Sequence, residues 1–489
     1  MIACKYGHTE IAKMLLDRGS DCNKCDSFGQ SMIMQACKHG HTEIVKMLLD
    51  RGADCNKCDV NGKSPVMKAC EDGHTEIVKI LLDKGTDCNK CDQNGQSAVM
   101  KACKHGHTEI VKMLLDRGAD CNKCDRRDQS PVMTACENGH TEIVMMLLDK
   151  GAGCNKCDSI GQFPMMKACE HGHTEIVKML IDRGADCNKC DLVGQAPVMK
   201  ACEDGHTEIV KILLDKGTDC NKCDQNGQSA VMKACKHGHT EIVKMLLDRG
   251  ADCNKCDRRD QSPVMTACEN GHTEIVMMLL DKGAGCNKCD SIGQFPMMKA
   301  CEHGHTEIVK MLIDRGADCN KCDLVGQAPV MKACENGHTE IVKMLLDGGV
   351  DCHKCDGYDQ STVMKACGGG HTEVVKILCD RGADVYKCDR WGQSTVIMAC
   401  EYGYADIVKM LLNRGIDFNK CGFRNESPIM KACEHGYTEI VRMLLDRGVD
   451  FNDCDRFGQS PVMKACEHGH TEIVKMLLDK SAEYNKCDK

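Results

Sequence analysis

The chain has 489 residues, with 64 Lys and Arg set against 73 Asp and Glu, a formal net charge of -9, and charges of both signs mixed along its length. No basic tract of the kind that neutralises phosphates is present, which argues against a nucleic-acid partner, and no segment approaches the ~18 uninterrupted apolar residues of a membrane span. Cysteine is abundant at 42 residues, but the first residues reach Lys5 before any apolar signal region can form, so the composition points to reduced thiols in the cytosol or nucleus.

Taken from the N-terminus, the chain repeats itself. His-Thr-Glu recurs at His8, His41, His74, His107, His140, His173, His206, His239, His272, His305, His338, His371 and His470, and Tyr404-Ala405-Asp406 and Tyr437-Thr438-Glu439 fill the two gaps in a series with a period of 33. Residues 1–25 are a partial repeat, residues 26–487 divide into fourteen full repeats, and Asp488 and Lys489 are a tail. A second periodicity lies over the first: Pro65 to Cys202 reappears unchanged at Pro197 to Cys334, an offset of 132 residues. Such identity fits either a recent internal duplication or an error in joining the sequence.

The repeat from Asp59 to Cys91 predicts a helix pair and a turn. Ser64 and Pro65 have the chemistry of an N-cap followed by a first helical residue, and this helix is expected to stop near Gly73. Thr75 and Glu76 open a second helix, with Ile77, Val78, Ile80, Leu81 and Leu82 as its apolar face and Lys84-Gly85 as its end. Asp87 to Gly95 is rich in Asn, Asp and Gly and predicts a turn or hairpin. Such a unit is too small to bury its own apolar faces, so it must stack on its neighbours.

This unit resembles the ankyrin repeat. Gly62-x-Ser64-Pro65-Val66-Met67, Ala69-Cys70, Gly73-His74, Leu81-Leu82 and Gly85-x-Asp87-Cys88-Asn89 follow the family's order and spacing over essentially the whole chain. The resemblance implies an all-α solenoid of helix-turn-helix units with a β-hairpin or turn in each, and a role in holding protein partners. Three positions depart from the family: Met67 replaces a usual His, Cys70 an Ala and Cys88 a Val. The first departure removes an inter-repeat hydrogen bond that the family makes.

Several patterns have the residue types of chemistry. His41-x-Glu43 followed by Cys55-x-x-Cys58 has those of a zinc deaminase, but a helix lies between them and puts them ~15 Å apart, far beyond metal-bond lengths. Cys-x-Lys-Cys recurs eleven times from Cys22 to Cys355, once as Cys-His-Lys-Cys at Cys352. The resemblance puts its first cysteine where the family buries a small Val, and pairs in successive repeats should lie about 8–10 Å apart, too far to share an ion. Met34, Met67, Met100 and Met133 fall within the apolar helical pattern and are expected in the core. No phosphate-binding loop or nucleophile elbow occurs. We therefore expect no enzyme activity, no catalytic residue, no metal ligand and no cofactor.

The repeats differ chiefly in the two residues after the opening Asp, which the resemblance places at hairpin tips along the concave face: Ser27-Phe28, Val60-Asn61, Gln93-Asn94, Arg126-Arg127, Ser159-Ile160 and Leu192-Val193. Near the C-terminus the tips turn aromatic at Tyr358, Trp391, Phe423 and Phe457, with Arg390, Arg424 and Arg456 beside three of them, and ten of the fifteen aromatic residues fall between Tyr358 and Phe457. Tyr, Trp and Arg are the types enriched at binding hot spots. Tyr358, Arg390, Trp391, Phe423, Arg424, Arg456 and Phe457, with Arg126, Arg127 and Phe28, are the expected partner contacts, and the duplicated middle is expected to be chiefly a spacer. Met1 begins inside a helix, and Ile473, Val474, Met476, Leu477 and Leu478 keep the last repeat apolar, so a longer protein or a partner at the ends is expected. The leading expectation is a protein-interaction scaffold. A thiol-rich redox or metal-buffering protein, and the non-catalytic part of a larger signalling protein, are the rivals.

Overall fold

A computed structural model describes residues 1–422 and 425–480. They form thirty helices and, among the described residues, no strands. The chain divides into two units, Met1–Asp252 and Cys253–Lys489. Within each unit, short first helices pack side by side from repeat to repeat and the second helices form a parallel row against them.

The repeat read above shows why. Helix Pro65–Glu71 begins at Ser64, whose hydroxyl accepts the Met67 N–H at 3.4 Å, with Pro65 in the first turn where its missing N–H costs nothing. Helix Thr75–Asp83 ends at Lys84, and Gly85 takes the left-handed conformation (φ 80°) that closes it. Val66, Met67, Ala69 and Cys70 of the first helix and Ile77, Val78 and Leu81 of the second are buried, each large apolar side chain contributing about 1.5–3 kcal/mol. Ile80 is only half-buried, so the apolar face of the second helix is narrower than expected. Met34, Met67, Met100 and Met133 all lie in the core.

Two expectations need adjusting. The hairpins are reduced to turns closed by single antiparallel bridges, as between Cys25 and Ser31 or Cys91 and Ser97. At Met67 the bond lost with the family's His has a local substitute, since the thioether sulfur accepts the Ser64 N–H at 3.5 Å within the same repeat.

Stacking is also directional. His74 Nε2 lies 3.0 Å from the Lys38 carbonyl of the preceding repeat. A carbonyl only accepts, so this nitrogen carries the proton. Gly40 admits the ring: its φ is 77°, and a Cβ there would fall 2.7 Å from His74 Cε1. The repeated Gly-His is thus a joint between repeats. Where Tyr404 replaces the His, its hydroxyl donates to the Gly368 carbonyl at 3.1 Å and keeps the joint.

Candidate recognition surface

Every tip but the one opened by Gly422 begins with an aspartate, and Asp59 shows how it organises the turn. Asp59 Oδ1 accepts the N–H groups of Asn61 (3.0 Å) and Lys63 (2.9 Å), while Lys68 Nζ lies 3.4 Å from Oδ2 and balances a carboxylate that is otherwise buried. Successive tips are then stitched together by backbone bonds. The N–H of Gln93 donates to the Asn61 carbonyl (2.8 Å), Arg126 to Asn94 (2.9 Å) and Ser159 to Arg127 (2.8 Å) in the first unit, and Arg390 to Tyr358 (3.1 Å) in the second. From Phe28 to Gln225 in the first unit and from Arg259 to Arg390 in the second, the variable pairs therefore join into a strip. Tight approach is required: Gly161 has φ 80°, and a Cβ on it would lie 2.6 Å from Leu192 N.

Cys-Asn-Lys-Cys is part of the same stitching. Asn89 Oδ1 accepts the Asp120 N–H at 2.8 Å, Asn89 Nδ2 donates to the Gly118 carbonyl at 3.1 Å, and Lys90 Nζ donates to the Asn56 carbonyl at 3.0 Å. The first cysteine of the motif is buried at Cys88, Cys121 and Cys220 but only half-buried at Cys22, Cys55 and Cys154. Sequence reasoning weighed the cysteines and missed the residues between them. The signal was there in the recurrence of Asn and Lys between the two cysteines in all but one of the eleven copies.

In the C-terminal strip, the Tyr358 and Trp391 rings stack with centroids 5.7 Å apart and planes at 22°. Arg390 lays its guanidinium 5.5 Å from the Tyr358 centroid and donates to the Gly357 carbonyl at 2.6 Å. Tyr358 stays 41% exposed and Trp391 54%, so packing on one another leaves both rings open. Phe457 is exposed with Arg456 4.7 Å from its centroid. An open cavity of about 710 Å³ is lined by Arg390, Trp391 and Arg456 together with Glu401, Glu426 and Lys431. Lys431 Nζ lies 3.7, 3.2 and 3.5 Å from carboxylate oxygens of Glu401, Glu426 and Glu434. Burial works against its charge, but the three carboxylates together prevail and raise its pKa. Phe423 and Arg424 lie outside the described residues. Phe28, Arg126 and Arg127 are exposed tip residues of the first unit.

A family model described as ankyrin repeats (3 copies) matches residues 1–90, 51–125, 99–191, 165–257, 249–323, 330–421 and 419–488. The chain belongs to the ankyrin-repeat family. No curated protein matches it. Ankyrin repeats are generally protein-interaction modules, and in this ankyrin chain the tip strip carries the variation that such a module needs.

Two chemical alternatives can be weighed on geometry. Asp351, Cys352 and His353 bring one ligand atom each within 4.8 Å of one another, the one such grouping among the described residues. Asp351 Oδ1, however, accepts the His353 N–H at 2.8 Å, and the Cys352 thiol points to the Arg381 carbonyl at 3.8 Å. A cation would have to displace the thiol from its partner. Reactive-thiol chemistry is opposed in the core, where burial pushes the Cys367 and Cys433 thiols up to about 12. No described helix is long and apolar enough to cross a membrane.

Proposed function

We propose that this ankyrin chain is a non-enzymatic scaffold or adaptor that holds a protein partner on its tip strip, with Tyr358, Arg390 and Trp391 at the centre of the contact and Arg456 and Phe457 at its edge. The observation that carries this reading is the exposed Tyr358–Trp391 stack with Arg390 against it. Rings that are already ordered lose little freedom on binding, and aromatic residues with arginine supply most of the energy in known interfaces. Lys431 and its carboxylates beside the stack add charge selectivity. Action in the cytosol or nucleus, without nucleic acid, is part of the same proposal and rests on the mixed charge and the thiol content.

The test is capture from a cell lysate by the intact chain and by a Tyr358→Ala, Trp391→Ala variant whose folding is checked by circular dichroism. A partner held by the parent and lost by the folded variant supports the reading. Equal capture by both removes these tips from the interface.

A further inference from the structure

The duplication makes two surfaces of one kind. In the first unit the tips Arg126-Arg127, Ser159-Ile160 and Leu192-Val193 follow one another, joined by Ser159 N–H to the Arg127 carbonyl (2.8 Å) and Leu192 N–H to the Ile160 carbonyl (3.3 Å). In the second unit Arg258-Arg259, Ser291-Ile292 and Leu324-Val325 are joined by the same bonds, at 2.9 and 3.4 Å. Their exposures agree: Ile160 and Ile292 are each 57% exposed, Leu192 and Leu324 67% and 77%, Val193 and Val325 49% and 45%. The support beneath them agrees as well. Phe163 and Phe295 are buried with Lys189 and Lys321 at 4.4 and 4.3 Å from their rings, and Asp128 and Asp260 both hold φ 58°.

We infer that each strip is a docking site, and that one chain binds two copies of the same partner segment, one carrying carboxylates beside side chains of leucine or isoleucine size. The argument is complementarity. Three large aliphatic side chains stand in water on a strip held by its backbone, where burial by a partner releases free energy in proportion to the area covered. Two exposed arginines adjoin them at one end, and no ion pair of theirs is found among the described residues. Asp125 and Asp128 flank the two arginines in the chain, but Asp125 Oδ1 is taken by the N–H groups of Arg127 (2.8 Å) and Gln129 (3.0 Å), and neither carboxylate is ion-paired with a guanidinium among the described residues. Arginine pairs with carboxylates in bidentate geometry, so an acidic group on the partner belongs at that end. Because the strips are identical in sequence and alike in geometry, whatever fits one fits the other. The duplicated middle is then a binding region and not only a spacer.

The probe is a phage-displayed library of random dodecapeptides selected on the intact chain, with the enriched peptides resynthesised and titrated by calorimetry. Expected are peptides with Asp or Glu next to Leu, Ile or Phe, binding two per chain with a single Kd. Ile160→Ser with Leu192→Ser should lower the stoichiometry to one without changing the Kd of the remaining site, and adding Ile292→Ser with Leu324→Ser should abolish binding. Arg126→Ala with Arg127→Ala should weaken one site of the two about tenfold. All these positions are exposed, so circular dichroism should be unchanged. Enriched peptides without carboxylates, failure to enrich any such peptide, a parent stoichiometry of one, or undiminished binding by the fourfold serine variant overturns the inference. Trp391→Ala should leave the two-site titration untouched, which separates this surface from the C-terminal aromatic tips.

Discussion

The carboxamide of Asn89 spans two repeats, accepting the Asp120 N–H at 2.8 Å and donating to the Gly118 carbonyl at 3.1 Å. Replacing it with alanine removes both bonds at an exposed position where water takes up the freed groups. Asn89→Ala should therefore cost about 1 kcal/mol, seen as roughly fivefold faster hydrogen exchange at the Asp120 amide in the intact chain. Unchanged exchange there would mean the carboxamide only decorates the loop.

Glycines in this chain are not equivalent. Gly151 and Gly161 both have positive φ, but a Cβ on Gly151 meets nothing within 4 Å whereas one on Gly161 meets Leu192 N at 2.6 Å. Gly151→Ala should cost about 1 kcal/mol of left-handed strain. Gly161→Ala must also push the next tip away, for a total of about 2–3 kcal/mol and loss of the Leu192 N–H bond to Ile160. Paired denaturation curves and amide exchange at Leu192 measure the difference.

Thiol reactivity should divide by position. Cys157 and Cys289 are exposed, while Cys37, Cys70, Cys103 and Cys136 are buried with their pKa values driven well up by desolvation. Iodoacetamide at neutral pH should label the first pair within minutes and leave the second group unmodified until denaturant is added. Mass mapping of the labelled peptides reads this out, and early labelling of Cys70 or Cys103 would contradict the packing.

Stability should fall at both ends of the pH scale. Burial first, then neighbouring positive charge, lowers His39, His105 and His237 from 6.5; burial also lowers His173. A depressed histidine binds its proton more tightly when unfolded, so its contribution is present above pH 6.5 and is lost as pH falls through that value. The core thiols act in the opposite direction. Cys367 and Cys433 are raised from 9.0 to about 12, so the unfolded chain ionises first and stability is lost as pH rises from 9 towards 12. Thermal melts across pH 5 to 11 should give a plateau between these limits.

Much of this architecture was legible before any coordinates. The recurrence of Gly-His-Thr-Glu, Ser-Pro before an apolar run and Gly after Leu-Leu-Asp located both helices of each repeat, because caps and helical periodicity are local properties of a few neighbouring residues. The buried positions of Met34, Met67, Met100 and Met133 followed from the same periodicity. The stacking partners were less accessible: nothing local ties Asn89 to Gly118 or His74 to Lys38, since those contacts join residues 29 and 36 positions apart.

The candidate site divides in the same way. Variation after the repeat-opening aspartate marked Tyr358, Trp391 and Phe457 as tip residues, and the duplicated run from Pro65 to Cys202 was plain in the letters. That Tyr358 and Trp391 stack while staying open, that Lys431 sits among Glu401, Glu426 and Glu434, and that Ile160 and Leu192 stand exposed on adjoining bonded tips was decided only when the repeats packed. The sequence by itself determined the repeat, its two helices and its core, because those depend on residues a turn or two apart. Tertiary structure decided which variable side chains become neighbours and which keep an open face, because those depend on how one repeat is laid against the next.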